Sequence, residues 1–121
     1  MYLIAYLWRC LLFRTTFIAI TGSIGKTTTK ECIAAIFSAH FPTEKTHGNQ
    51  NDSYGVPRTI LRVRPWHRFA IVEIGIDRPG RMYRLARLVS PDIAIVLTIA
   101  RTHTTAFTTL EDTAAEKAQI L

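Results

Sequence analysis

The stretch Ile18-Ala-Ile-Thr-Gly-Ser-Ile-Gly-Lys-Thr-Thr-Thr29 decides the fold. An apolar run ends in a glycine turn, then a lysine and threonines, and a helical pattern follows. This is the layout of a phosphate-binding loop. Gly22 and Gly25 let the backbone bend tightly, so that its N–H groups can point at phosphate oxygens. The start of the next helix adds the positive end of its dipole at the same place. Lys26 can reach the outer phosphates of a nucleotide, and the Thr27 hydroxyl can hold Mg²⁺. The candidate nucleotide contacts are therefore Thr21, Gly22, Ser23, Ile24, Gly25, Lys26, Thr27 and Thr28. Ile20 stands where the pattern G-x-x-x-x-G-K-S/T has its first glycine, which leaves the shorter T-G-x-x-G-K-T.

Working outward, strands alternate with helices. Phe17 to Ile20 read as a short buried strand, and Lys26 to His40 as a helix with Cys32, Ile33, Ile36 and Phe37 on its apolar side. Pro42 ends that helix, and Thr43 to Thr46 can form a second strand. A polar, turn-rich loop from Gly48 leads to Pro57, and Thr59 to Val63 continue as a short helix. Phe69-Ala-Ile-Val-Glu-Ile-Gly75 is a nearly unbroken apolar run, the mark of a buried parallel strand. Arg81 to Val89 carry Met82, Leu85, Leu88 and Val89 at helical spacing, and Ile93 to Leu97 read as a fourth buried strand. A threonine-rich loop holding His103 precedes a last helix, Leu110 to Leu121, with Thr109 as candidate N-cap and Asp112 at the third helical position as a partial capping box. The pattern predicts an α/β, three-layer domain of the P-loop type with a mainly parallel sheet. Ligands in such sheets bind at the carboxyl ends of the strands. Lys26 and Thr27, Asn49, Glu73 and His103 each fall at or after one of those ends.

The composition narrows the setting. With 121 residues the chain is one domain at most. Cys10 and Cys32 have no metal-ligand spacing, and buried thiols in a reducing compartment, the cytoplasm, are expected of them. The net charge is +6, yet the arginines are scattered and no dense basic run is interleaved with aromatics. A solvated basic face, or attraction of an anionic substrate or acidic lipid, is expected rather than a nucleic-acid partner. Residues 1–14 are strongly apolar with Arg9 and Arg14 spaced along them. A membrane-spanning helix needs about 20 apolar residues, and here the run ends in the first strand. Three readings of 1–14 stand: a helix packed on the domain that begins at residue 15, an interfacial helix contacting a membrane peripherally, or the remnant of a preceding domain.

Singly, the polar residues are unremarkable: Asn49 reads as a turn residue, His103 as a loop histidine, Lys117 as a solvated lysine. Glu73 in an apolar strand needs a partner, either a metal ion or an arginine. Together, four segments resemble a family. They are Thr21-Gly-Ser-Ile-Gly-Lys-Thr-Thr28, the Gly48-Asn-Gln-Asn-Asp-x-x-Gly-Val-Pro57 loop, Ile71-Val-Glu-Ile-Gly75 and His103-x-x-x-Phe107-x-x-Leu110-Glu-x-x-Ala-x-Glu-Lys117. In order and spacing they resemble the central, ATP-binding domain of the Mur ligases, most of all the type that adds D-alanyl-D-alanine.

The resemblance implies an ATP- and Mg²⁺-dependent carboxylate–amine ligase that works through an acyl phosphate in peptidoglycan precursor synthesis. Lys26, His103 and Lys117 would be catalytic; Thr27, Glu73 and His103 would face metal; Asn49 and Asn51 would contact substrate. The expected partners are a UDP-sugar peptide, or another carboxylate, and an amino acid or dipeptide. Lys117 matches a position that several relatives carbamylate. The cytoplasm, at the inner face of the membrane if residues 1–14 bind there, is the implied location. The resemblance runs from about Ile18 to Leu121 and covers the first half of that domain, so an incomplete sheet is expected. A fragment, or a truncated or degenerate paralogue acting as a non-catalytic or partner-dependent ATP-binding module, is the alternative function.

Overall fold

The computed structural model describes residues 1–100, 107 and 109–121. The elements follow in the order α1 (Tyr2–Leu11), β1 (Thr16–Thr21), α2 (Lys26–Ser38), β2 (Thr43–Lys45), α3 (Gly55–Arg62), β3 (Phe69–Glu73), α4 (Arg81–Val89), β4 (Ile93–Val96) and α5 (Leu110–Ala118). The four strands form one parallel sheet in the order β2-β3-β1-β4. Register sets Ile20 beside Glu73 and Thr21 beside Val96, so the carboxyl ends of the central strands finish level.

Strand alternation sends side chains to two separate cores. Ile18, Ile20 and Ile71 pack under α2 with Ala34. Phe17, Ala19, Ala70 and Val72 face the other way, toward Val56 and Ile60 of α3 and Met82, Leu85 and Leu88 of α4. The sheet is thus the middle of three layers. The chain leaves β1 through α2 on one face and leaves β3 through α4 on the other. Adjacent strands whose connections diverge in this way open a crevice at their carboxyl ends.

Helix α1 lies against α3 and α4. Ala5 and Leu12 are buried, and Trp8 donates its indole N–H to the Val63 carbonyl. Arg9 donates to the carbonyls of Val89 and Ser90 at the end of α4, and its guanidinium lies 3.9 Å from the centre of the Phe17 ring. Burial lowers the Arg9 pKa below its ordinary value, and Asp92 opposes that shift. Leu3, Ile4, Leu7 and Leu11 remain exposed on the opposite side of the helix. Among the described residues, no helix is long and apolar enough to cross a membrane.

Several expectations from the sequence are corrected. In α2 the buried positions are Lys30 and Ala34, while Cys32 and Ile36 are exposed. Ile33 and Phe37 pack against the core as expected, so the inward stripe keeps those two and takes Lys30 and Ala34 in place of Cys32 and Ile36. Both cysteines are exposed, so neither thiol is a core group. β4 is an edge strand, with Ile93 48% and Val96 36% exposed, although its composition matches that of a buried one. Helix α3 starts at Gly55, inside the segment read as loop.

Candidate active site

The turn after β1 is tightly built. Gly22 has φ +154° and Gly25 φ +88°, both favouring glycine. A Cβ on Gly22 would lie 2.7 Å from the Cβ of Leu97, so only glycine lets β1 run this close to the strand beside it. The Ser23 N–H donates to the Thr98 carbonyl, and the Ser23 hydroxyl both donates to the Ala100 carbonyl and accepts from its N–H. Thr21 is buried at the end of β1, Ile24 is exposed at the tip, and Thr27 and Thr28 lie exposed in the first turn of α2. Lys26 folds back and donates to the Gly22 carbonyl at 2.9 Å, which leaves its ammonium at the mouth of the turn.

Glu73 ends β3 beside this turn and is 1% exposed. The Thr27 hydroxyl is 3.2 and 3.1 Å from its two oxygens, and Asn51 Nδ2 donates to Oε1 at 2.6 Å. Asn51 reaches it across Gly75, where a Cβ would come within 2.7 Å of the Asn51 side-chain oxygen. The loop is pinned there by the Gly75 N–H, which donates to the Asn51 carbonyl. The partner of the buried carboxylate is a lysine, not the arginine that one reading supposed: Lys30 Nζ lies 3.6 Å from Oε2.

Lys117, from α5, completes one cleft of about 380 Å³ with Gly22, Lys26, Asn51, Asp52, Gly75 and Asp77. Burial, with the nearby Lys26 charge second, lowers the Lys117 pKa to about 8, against an opposing pull from Glu116. Glu116 is itself engaged, accepting from the Met82 N–H. The cleft thus brings Lys26, Asn51 and Lys117 together, and Asn51 links it to the Thr27–Glu73 pair, which does not line it. Asn49 is exposed and does not line the cleft. His103 lies outside the described residues.

Sequence reasoning missed Lys30, Asp52 and Asp77. Lys30 had a usable signal: it falls one helical turn past Lys26 and one before Ala34, on the side that turns inward. The aspartates sit in loops, where nothing in local pattern distinguishes a lining residue from a solvated one.

A parallel sheet with a glycine turn feeding a helix start, a lysine at that turn and a carboxylate on the adjacent strand defines an α/β domain able to hold an anion and a cation together. The Mur ligase middle domain matches residues 20–121, and the chain belongs to the Mur ligase family. It is 42% identical over 113 residues to the UDP-N-acetylmuramoyl-tripeptide--D-alanyl-D-alanine ligase of Borreliella burgdorferi, covering 92% of this chain and 24% of that protein. It is 39% identical over 103 residues to the Escherichia coli enzyme of the same name, covering 85% and 23%. Its fold is similar to MurF from Acinetobacter baumannii, with TM-score 0.95, 34% identity and coverage of 98% of this chain and 26% of that one. MurF from Thermotoga maritima, solved in complex with ADP, matches with TM-score 0.87 and 34% identity over 98% of this chain and 28% of that one. The chain thus spans about a quarter of the length of these relatives.

Mg²⁺ can be tested against this donor set. It takes one or two carboxylates together with phosphate and water oxygens. The Thr27 hydroxyl and the Glu73 carboxylate supply adjacent hard oxygens at the mouth of the glycine turn, so they fit the ion. No group of three His, Cys, Asp or Glu forms a metal cage among the described residues, and a phosphate-bound Mg²⁺ needs none.

Proposed function

We propose that the chain carries the nucleotide site of an ATP- and Mg²⁺-dependent carboxylate–amine ligase acting in peptidoglycan precursor synthesis. The observation that carries this reading is that Lys26 and Lys117 line one cleft at the glycine turn, while the Thr27 hydroxyl is hydrogen-bonded to the buried Glu73 carboxylate beside the same turn. The relatives' names and the ADP complex of one of them support it. Residues 15–121 are read as the N-terminal part of the ATP-binding domain, with 1–14 as a segment laid against it.

In this reading, Thr21 to Thr28 wrap the β and γ phosphates with backbone N–H groups. Lys26 exchanges its contact with the Gly22 carbonyl for a phosphate oxygen and neutralises charge as the γ-phosphoryl moves. A carboxylate oxygen of the UDP-muramoyl peptide attacks the γ phosphorus; the bond to the bridging oxygen breaks, ADP leaves, and an acyl phosphate remains. The amine of D-alanyl-D-alanine then attacks the acyl carbon, loses a proton, and inorganic phosphate departs. Mg²⁺ held at Thr27 and Glu73 would neutralise the phosphates, as divalent ions do in phosphoryl transfer. His103 would help hold a second ion, and Asn49 and Asn51 would contact the UDP-sugar substrate. Lys117 is suited to carbamylation because its lowered pKa raises the neutral amine that adds carbon dioxide. Unpaired thiols and an ATP-consuming reaction fit a cytoplasmic setting. Peripheral contact with an anionic inner membrane face belongs to the same reading, supported by the uncharged outer stripe of α1.

The test is ADP release with ATP, Mg²⁺, UDP-muramoyl tripeptide and D-alanyl-D-alanine, each omitted in turn. Turnover that needs both substrates is expected; equal release without the amine would sink the ligase. Lys26→Ala is expected to weaken nucleotide binding at least about tenfold, as fits losing a charge-assisted contact of roughly 1.5–3 kcal/mol. Nucleotide binding that depends on Lys26 but yields no amide would leave the second reading, a non-catalytic or partner-dependent binding module.

A further inference from the structure

Lys30 has no exposed surface, and it does not line the cleft. A lysine is almost never fully buried unless it is paired, and this one has three partners from three parts of the chain. Its Nζ donates to the Gly48 carbonyl at 2.9 Å, lies 3.6 Å from Oε2 of Glu73 and 3.1 Å from Oε1 of Glu31. Gly48, at φ +55°, opens the loop that carries Asn49 and Asn51. That loop returns to Glu73 through Asn51, on the other carboxylate oxygen. Glu73 is thus held by Asn51 at Oε1 and by Lys30 toward Oε2, with the Thr27 hydroxyl reaching both. Lys30 stands one turn along α2 from Lys26, so the helix that begins at the glycine turn also anchors the carboxylate and the loop.

We propose that Lys30 is a positioning residue: from behind the cleft it orients the Glu73 carboxylate toward Thr27 and ties the Gly48–Asn51 loop to α2, so that the cation site is formed before nucleotide arrives. The proposal rests on the reading of Glu73 as the carboxylate that faces Mg²⁺. Lys30 touches neither nucleotide nor metal, and it acts through Glu73 and the Gly48 carbonyl. Removing it releases the rotamer of Glu73 and the start of the loop together, while the glycine turn and Lys26 stay as they are.

The experiment measures the affinity of the full chain for a fluorescent ATP analogue, once with saturating Mg²⁺ and once with EDTA. The ratio of the two is the magnesium advantage. Lys30→Met is expected to keep the EDTA affinity within about twofold and to lose at least about tenfold of the advantage, the size usual when a group that orients a metal ligand is removed. Circular dichroism and melting temperature report its folding separately. A folded Lys30→Met chain with the wild-type advantage makes Lys30 a core residue only and overturns the proposal. Lys30→Gln, which keeps a donor for Gly48, is read in the same way if the methionine variant fails to fold. Lys30→Arg, which keeps the charge but moves it, follows, with a loss of at least about threefold expected. An unchanged advantage in whichever variant folds is the overturning result. A wild-type chain that binds the analogue equally in Mg²⁺ and EDTA overturns the metal reading of Glu73, and this proposal with it.

Discussion

Glu73 and Lys117 show how burial changes what a charged group can do. An ionised carboxylate in a sheet interior is costly unless it is paired and hydrogen-bonded. Glu73 meets that condition with Thr27, Asn51 and Lys30. Removing one partner of such a buried pair typically costs about 3–5 kcal/mol, because the other charge is left behind. Lys117 has no equivalent rescue. Burial and Lys26 together disfavour its charged form, and Glu116 offsets only part of that. Its pKa of about 8 lies below the ordinary lysine value of 10.5, so folding favours the neutral amine. Between about pH 8 and the unfolded value, the unfolded chain binds more protons, and stability rises with pH. Below pH 8 both states carry the proton and the penalty is fully present. Urea unfolding from pH 7.5 to 10 is expected to show this rise, on the order of 1 kcal/mol after screening at the open cleft. Lys117→Met is expected to flatten it, and an equal slope in that variant would refute the assignment.

Among the elements, α5 shows the clearest agreement between local sequence and structure. Thr109 accepts from the Asp112 N–H through its hydroxyl, and Asp112 accepts from the Thr109 N–H, a complete capping box. Thr109→Ala is expected to lower stability by about 1 kcal/mol, measured by chemical denaturation. Helix α4 is equally legible, because its apolar spacing runs without interruption from Arg81 to Val89. β4 and α2 were harder to read for a common reason. Hydrophobicity reports which residues could be buried, and neighbours decide which ones are. Ile93 and Val96 have the composition of a core strand but, among the described residues, one strand beside them. In α2 the inward side carries Lys30, a residue that no hydrophobic pattern selects, beside the Ile33 and Phe37 that the pattern did select. The site followed the same rule. Lys26, Thr27 and Glu73 were legible because each stands at a strand end, whereas Lys30 acts through a loop carbonyl and a distant carboxylate that only the folded chain brings within reach.

At the scale of the molecule, α1 presents two contrasting sides. Its inner side is tied down by Trp8 and Arg9, and its outer side shows Leu3, Ile4, Leu7 and Leu11 to solvent. A shallow apolar recess next to that stripe is lined by Tyr2, Leu3, Tyr6, Tyr83, Arg84 and Arg87. Exposed aliphatics rimmed by tyrosines and arginines match what an anionic bilayer surface selects, and the net charge of +6 favours the same partner. The chain is expected to co-sediment with vesicles containing anionic lipid, more weakly as salt rises. Leu7→Glu is expected to reduce that binding several-fold at unchanged net fold by circular dichroism. Undiminished binding in that variant would remove α1 from the contact. The parallel α/β class was legible from the alternation of segments, whereas the order β2-β3-β1-β4 was not, because strand neighbours depend on crossovers that leave no local trace.

The divergence of the connections after β1 and β3 has a consequence for how such a protein can evolve. The crevice owes its existence to the route of the backbone, while most of its lining stands outside the sheet. Asn51, Asp52 and Asp77 are on loops, and Lys117 is on a peripheral helix. Asp77, exposed on its loop, can therefore vary at little risk to the sheet, whereas Asn51 is bonded both to Glu73 and to the Gly75 N–H. The pairing of Glu73 with Lys30 is the exception, since there the chemistry and the core are one structure. In this architecture the route of the backbone and the buried Glu73–Lys30 pair are the parts least free to change, and the exposed loops the parts most free.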